Sequence, residues 1–252
     1  MKKANVNRLI LMTLSFILMS FGTTQKQIKV YLIGDSTIAQ KAKNKFPETG
    51  WGVPFTWFFN QNATVDNRAQ NGRSTKSFIN EGRWNAVLDS LKADDYVLIQ
   101  FGHNDEVPTK KNATTPSQFQ DNLRRYVNET RAKKANPILI TPVARRKFDE
   151  YGKVVDTHKE YAQLVRNIAE ELQVPLIDLS KESMNLLQSF GEENSKLLFL
   201  HLNEKQNPNY PNGVKDDTHF SELGARYMAE IVGRELHKIQ SPLAGYLVNA
   251  DK

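Results

Sequence analysis

Three stretches of this chain, VYLI at 30–33, YVLIQF at 96–101 and VPLIDL at 174–179, are almost unbroken apolar runs bounded by polar residues. A strand with one wet face alternates apolar and polar side chains, whereas a short continuous run suits a strand covered on both faces. Two further β-rich runs complete a set of five: Lys29–Ile33, Ala63–Asp66, Tyr96–Phe101, Pro137–Thr141 and Val174–Asp178. Helical patterns lie between and after them. Thr115-Pro116-Ser117-Gln118 offers an N-cap, a proline at the first helical position and a glutamine at the third, which is a capping box. Behind it Phe119, Leu123, Tyr126 and Val127 repeat at helical spacing, as do Tyr161, Leu164, Val165, Ile168 and Leu172. A last helix starts at Ser221 and carries Leu223, Tyr227, Met228, Ile231 and Val232 on one side, a stripe expected to pack in the core. Strands alternating with helices predict one doubly wound, three-layer α/β domain, and 252 residues suffice for its core.

The N-terminus reads differently. Lys2, Lys3 and Arg8 precede an apolar run from Leu9 to Phe21, followed by Gly22, Thr23 and Thr24. A basic start, a short apolar run and small residues describe a signal peptide over 1–24, with the domain at 25–252 and an exported, periplasmic or secreted location. The alternatives are a buried helix or a membrane anchor, for which the run is short, since about 20 apolar residues span a bilayer. No stable membrane insertion is expected after cleavage. The three leader charges are half of the formal +6, and the other basic residues are scattered, so no nucleic-acid partner is expected. The chain has no cysteine, which removes disulfides, thiolate chemistry and a lipoprotein anchor.

In doubly wound folds the site lies beyond the carboxyl ends of the strands. Four polar groups occupy such places: Gly34-Asp35-Ser36, Asn71-Gly72, Gly102-His103-Asn104-Asp105 and, before the last helix, Asp216-Asp217-Thr218-His219. A serine hydroxyl becomes a useful nucleophile when a base takes its proton, and histidine titrates in the right range. The second imidazole nitrogen needs an acceptor to fix its tautomer, and Asp216 is three residues from His219. The backbone N–H of Ser36, the backbone N–H of Gly72 and the side-chain amide of Asn104 are the candidate donors for a tetrahedral oxyanion. Glycine at 72 allows close approach of its N–H.

The sequences GDST at 34–37, NRAQNGRST at 67–75, FGHND at 101–105 and DDTHF at 216–220 resemble the four blocks of the GDSL/SGNH hydrolases. The resemblance runs from about Lys29 to the final helix and implies an α/β/α fold with a five-stranded parallel, flavodoxin-like sheet. GDST, TGWG at 49–52, TPVARRKF at 141–148, DTHKEY at 156–161 and YPNGVKDDTH at 210–219 look more narrowly like rhamnogalacturonan acetylesterases. What that implies is removal of acetyl groups from pectic polysaccharide by a metal-free Ser36–His219–Asp216 mechanism, with Gly72 and Asn104 completing the oxyanion hole. No cofactor is implied. The G-x-S-x-G elbow of α/β-hydrolases is absent, as is an HExxH metal motif. The other readings are a lipase or thioesterase on the same triad, or a carbohydrate-binding protein that keeps the fold without the activity.

Several residues carry two readings. Ser36 taken alone is a turn serine, Asp35 a loop hydrogen-bonder, and His219 a helix cap; the four blocks together favour Ser36 and His219 as chemistry. His103 is read as support for its loop and His237 as a residue of the last helix turn. His158 and His201 are candidate substrate contacts. Trp51, Arg145, Arg146 and Tyr210 are candidates for sugar stacking or uronate pairing, against core packing for Trp51 and solvation for the arginines. Asn62, Asn112 and Asn128 sit in N-x-[ST] triplets without further support for glycosylation.

Overall fold

The computed structural model describes residues 25–248, so the expected leader lies outside the described residues. Five parallel strands form the sheet: β1 (Ile28–Gly34), β2 (Ala63–Asn67), β3 (Tyr96–Gln100), β4 (Asn136–Ile140) and β5 (Leu176–Ile177). Their order is β2-β1-β3-β4-β5. The chain winds outward from β1 to β2 and then returns to the other side of β1, which puts a topological switch point between β1 and β3. All five expected strands form, although the fifth pairs over two residues only.

Successive side chains of a strand face opposite ways, and the core divides accordingly. Val30, Leu32, Leu98, Ile138 and Ile140 pack on one face with Trp51, Phe55, Leu187, Met228 and Val232. Tyr31, Ile33, Val97, Ile99 and Leu139 pack on the other with Phe78, Trp84, Phe119, Tyr126 and Tyr161. Each such side chain contributes roughly 1.5–3 kcal/mol by burial, which is why β1 and β3 carry apolar residues on both faces. The first layer of helices is α1 (Gly52–Phe55), α6 (Leu179–Asn194) and α7 (Glu222–Lys238); the second is α2 (Thr75–Asn80), α3 (Arg83–Ser90), α4 (Pro116–Ala132) and α5 (Lys159–Glu171). The result is three layers, α/β/α.

The local signals for the helices correspond to real contacts. Thr115 accepts from the backbone of Gln118 while Gln118 reaches back to the backbone of Thr115, so both halves of the box are present. Ser221 accepts from the backbone N–H of Gly224 and opens α7. One member of the α7 stripe departs from expectation: Leu223 is exposed, because the first turn of the helix projects past the core into a groove described below.

The segment before α7 also differs. Rather than a loop, it is an antiparallel hairpin of β6 (Phe199–Leu202) and β7 (Val214–Phe220), outside the main sheet. Asp216 and His219 therefore ride on a strand of this hairpin and do not follow a strand of the sheet. Thr49 pairs with Phe220 at the end of β7 and joins the hairpin to the segment after β1.

Candidate active site

The turn after β1 is built by close approach. A Cβ on Gly34 would stand 2.4 Å from the carbonyl oxygen of Gln100 in the neighbouring strand, so only glycine lets the chain leave β1 there. Asp35 then folds the turn: its Oδ1 accepts from the N–H and the hydroxyl of Thr37, and its carbonyl accepts from the N–H groups of Ile38 and Ala39. Asp35 is fully buried, and burial pushes its carboxyl above the usual range. Beneath the turn, the Trp51 indole donates to Gln100 Oε1 at 2.9 Å and the Gln100 amide donates to Thr37 Oγ1 at 2.7 Å. Gln100 is thus a buried polar residue inside an otherwise apolar strand, satisfied on both sides.

This scaffold presents Ser36, 9% exposed, to the hairpin. His219 Nε2 lies 2.9 Å from Ser36 Oγ, and His219 Nδ1 lies 2.8 Å from Asp216 Oδ2. Asp216 Oδ1 accepts in addition from the backbone N–H groups of Thr218 (2.7 Å) and His219 (2.9 Å). Partial burial opposes the charge on Asp216, but the hydrogen bonds from the imidazole and from these two N–H groups outweigh it and bring its pKa down to about 2.

The donor side comes from two other loops. Gly72 has φ +75°, in the left-handed region, with open space where a Cβ would be. Its loop is pinned to the nucleophile turn by Gln70 N–H on Gly34 O (3.0 Å) and to its far side by Asn112 Nδ2 on Gly72 O (2.7 Å). Asn104 is buried in the turn after β3; its Nδ2 donates to Arg73 O at 3.1 Å and its Oδ1 accepts from Lys110 Nζ at 2.6 Å. The ammonium selects the amide orientation and leaves one Nδ2 proton for a ligand. Asp105 ties this loop to the start of α2 by accepting from the N–H and hydroxyl of Thr75 and from the hydroxyl of Thr114; burial pushes its carboxyl up to about 7.

The structure thus brings Ser36, Asp216 and His219 into hydrogen-bonded sequence and places Gly72 and Asn104 on loops tied around them. Two of the candidate substrate contacts, Trp51 and His158, are not brought to the surface. Trp51 is fully buried, edge-on to Phe55, and belongs to the core. His158 is likewise buried, with Nδ1 2.8 Å from Glu106 Oε2 and its ring 4.2 Å from that of His103, so it cannot meet a sugar. Burial also drives the His103 imidazole well below its ordinary pKa.

His201 Nε2 is engaged by Asp217 Oδ1 at 2.8 Å across the hairpin. Arg145, half-buried, joins Thr218 Oγ1 (3.2 Å) to Glu106 Oε1 (3.2 Å) and so clamps β7 onto the Asn104 loop. Arg146 is buried against Asp217, Ser195 and the Glu192 carbonyl, and Tyr210 donates to Lys45 O. These polar side chains hold loops together, a task that a loop position alone does not reveal.

A groove of about 770 Å³ is lined by Lys41, Phe46, Glu48, Trp57, Leu223 and Arg226 among others, and it begins at Gln40 and Lys41, a few residues past Ser36 in the chain. Trp57 is 71% exposed and Phe46 48%. Sequence reasoning passed over Trp57 for Trp51; the run Phe55-Thr56-Trp57-Phe58-Phe59 holds more aromatics than one buried face accepts, and that was the available signal. Among the described residues no group of three or more histidines, aspartates or glutamates is arranged to hold a metal ion, and no helix is long and apolar enough to cross a membrane.

The chain is 40% identical over 228 residues to the rhamnogalacturonan acetylesterase RhgT of Bacillus subtilis, covering 90% of this chain and 97% of that one. Among solved structures it resembles the Bacillus subtilis protein YxiM with a TM-score of 0.74 and 26% identity, over 86% of this chain and 58% of the other. It shares its fold with Axe2, an acetylxylan esterase of Geobacillus stearothermophilus, at a TM-score of 0.58 and 20% identity, over 84% of this chain and 96% of the other. Residues 32–227 match the model of the GDSL-like lipase/acylhydrolase family, a span that contains all four polar blocks and most of the domain. With that span, and with a 40%-identical relative covered almost end to end, the chain belongs to the GDSL-like lipase/acylhydrolase family.

Proposed function

We propose that this protein is a serine carbohydrate esterase that removes acetyl groups from rhamnogalacturonan, with Ser36 as nucleophile, His219 as general base and Asp216 as its orienting acid. The observation that carries the chemistry is the continuous line Ser36 Oγ–His219 Nε2 (2.9 Å) and His219 Nδ1–Asp216 Oδ2 (2.8 Å). Such a line allows Ser36 Oγ to attack the acetyl carbonyl while His219 takes the hydroxyl proton. The ionised Asp216 holds the tautomer with Nε2 free and stabilises the imidazolium that forms. The N–H groups of Ser36 and Gly72 and the free Nδ2 proton of Asn104 receive the oxyanion. Collapse expels the sugar oxygen, protonated by His219, and leaves an acetyl ester on Ser36. Water, deprotonated by His219, attacks that ester; acetate departs and Ser36 regains its proton.

The substrate class is supported by the relative named for rhamnogalacturonan acetyl ester hydrolysis and by the groove. The exposed tryptophan and phenylalanine of that groove suit the apolar faces of pyranose rings, and its Asn, Lys and Arg suit hydroxyls and carboxylates. The leader fits the same reading, since a polymer outside the cell requires an exported enzyme. The deciding experiment is acetate release from acetylated rhamnogalacturonan, xylan, chitin and lipid esters in one buffer. The reading expects the highest kcat/KM on rhamnogalacturonan. A preference for xylan would remove the pectin assignment, and a preference for acyl chains of about eight or more carbons would favour a lipase on the same triad.

A further inference from the structure

Lys41 is a buried lysine that the chemistry above does not use. Its side chain is only 4% exposed, although it sits just past the nucleophile turn. An ammonium has three protons to donate and accepts nothing. Here each proton has one acceptor: Ser36 O at 2.5 Å, Asn71 Oδ1 at 3.0 Å and Glu48 Oε1 at 2.7 Å. The three acceptors belong to three parts of the site. Ser36 carries the proposed nucleophile, Asn71 immediately precedes Gly72, and Glu48 precedes Thr49, whose N–H is bonded to Phe220 O next to His219 at 3.0 Å. Taking a charge out of water is costly, and neutral groups could tie loops together at a lower cost. Lys41 lines the groove, yet its three ammonium protons are all engaged within the protein.

We infer that Lys41 is a positioning residue: its ammonium fixes the Ser36 turn, the Gly72 loop and the His219 strand relative to one another, acting through them and not on the substrate. This rests on the reading of Ser36 as the nucleophile. The N–H groups of Ser36 and Gly72 come from separate loops, and their spacing decides how well they fit one oxyanion. The backbone bond from Gln70 to Gly34 anchors the bases of these loops, while Lys41 anchors their tips. A misplacement of about 1 Å between reacting groups can cost on the order of 100-fold in rate. The ground-state ester, held mainly by its sugar, would be bound almost as before.

The test is Lys41→Met, together with the double variant Lys41→Met/Glu48→Gln, which avoids stranding a carboxylate if the single variant folds poorly. Two measurements are made: kcat and KM for acetate release, and the rate and stoichiometry of phosphorylation of Ser36 by diethyl p-nitrophenyl phosphate. The inference expects kcat to fall ~30- to 300-fold with KM within about twofold, a pattern that marks an interaction made in the transition state. It also expects labelling that is slowed similarly yet still reaches one equivalent per chain. A merely structural role gives a normal labelling rate on a reduced fraction of molecules, and that result in both variants overturns the inference. So does wild-type kcat in either variant. If the wild-type protein is not labelled at Ser36, the nucleophile reading fails and the inference falls with it; labelling of wild type with an unslowed variant sinks the inference alone.

Discussion

At the residue scale the two adjacent acids of the hairpin have separate tasks. Asp216 faces the imidazole, whereas Asp217 holds Arg146 Nη1 at 2.9 Å and His201 Nε2 at 2.8 Å. Ser36→Ala should therefore abolish acetate release, by about 10⁵–10⁶-fold in kcat, while the melting temperature stays near that of the wild type. Asp216→Asn should cost up to about 10⁴ in kcat, because the wrong tautomer is then favoured. Asp217→Asn should instead lower the melting temperature, since it weakens the partner of a buried guanidinium, and should leave most of the turnover. The reverse pattern in parallel assays would reassign the orienting acid.

Asp216 also links the site to pH. Its pKa of about 2 lies below the ordinary carboxylate value of about 3.9, so the fold favours the ionised form. That contribution, about 2 kcal/mol, is complete above the unfolded value and is lost as pH falls toward 2. The gap in unfolding free energy between wild type and Asp216→Asn should accordingly narrow from pH 5 to pH 2. A gap that stays constant over that range would contradict the assignment.

At the scale of elements, the helices were legible where a local rule is also the physical cause. The Thr115–Gln118 box is made by neighbours in sequence, so nothing distant can alter it. Thr115→Ala should cost about 1 kcal/mol and lower the melting temperature by ~2–4 °C, with kcat unchanged, as calorimetry beside an activity assay would report. The hairpin of β6 and β7 was not legible. Its strand β7 reads VKDDTHF, with one apolar residue at each end and five polar ones between, because those five side chains face the site and the loops while only Phe220 enters the core. A strand that serves chemistry on one side loses the periodicity by which strands are found.

At the scale of the whole molecule, β1 and β3 meet at the switch point, and the turns that follow them carry Ser36 and Asn104. The hairpin brings His219 in from the side. The groove with Trp57 and Phe46 is lined by residues of α1 and the start of α7. If a sugar chain lies on it, Trp57→Ala should raise KM on acetylated rhamnogalacturonan about 3- to 10-fold, in keeping with ~0.5–1.5 kcal/mol for an aromatic contact. An unchanged KM would place the polymer elsewhere. Expression in a Gram-negative host is expected to give a mature N-terminus between about residues 23 and 26, and mass spectrometry finding only intact Met1 in the exported fraction would refute cleavage.

The sequence by itself determined the three-layer fold, through strands apolar on both faces and helices capped by their own neighbours. It also marked Ser36, Gly72, Asn104, Asp216 and His219 as the residues to watch, since glycines in sharp turns and polar groups at strand ends have few other reasons to be there. Only the tertiary structure decided which aromatic is exposed, what Asp217 pairs with, and what the buried charges hold. Trp51 and Trp57 are equally apolar, yet one fills the space over Gln100 and the other faces the groove. Nothing in the sequence shows that Lys41, Arg145 and Arg146 are surrounded by acceptors from distant segments, as the fold arranges them. Burial and pairing are properties of the assembled neighbours, and no single stretch of chain contains them.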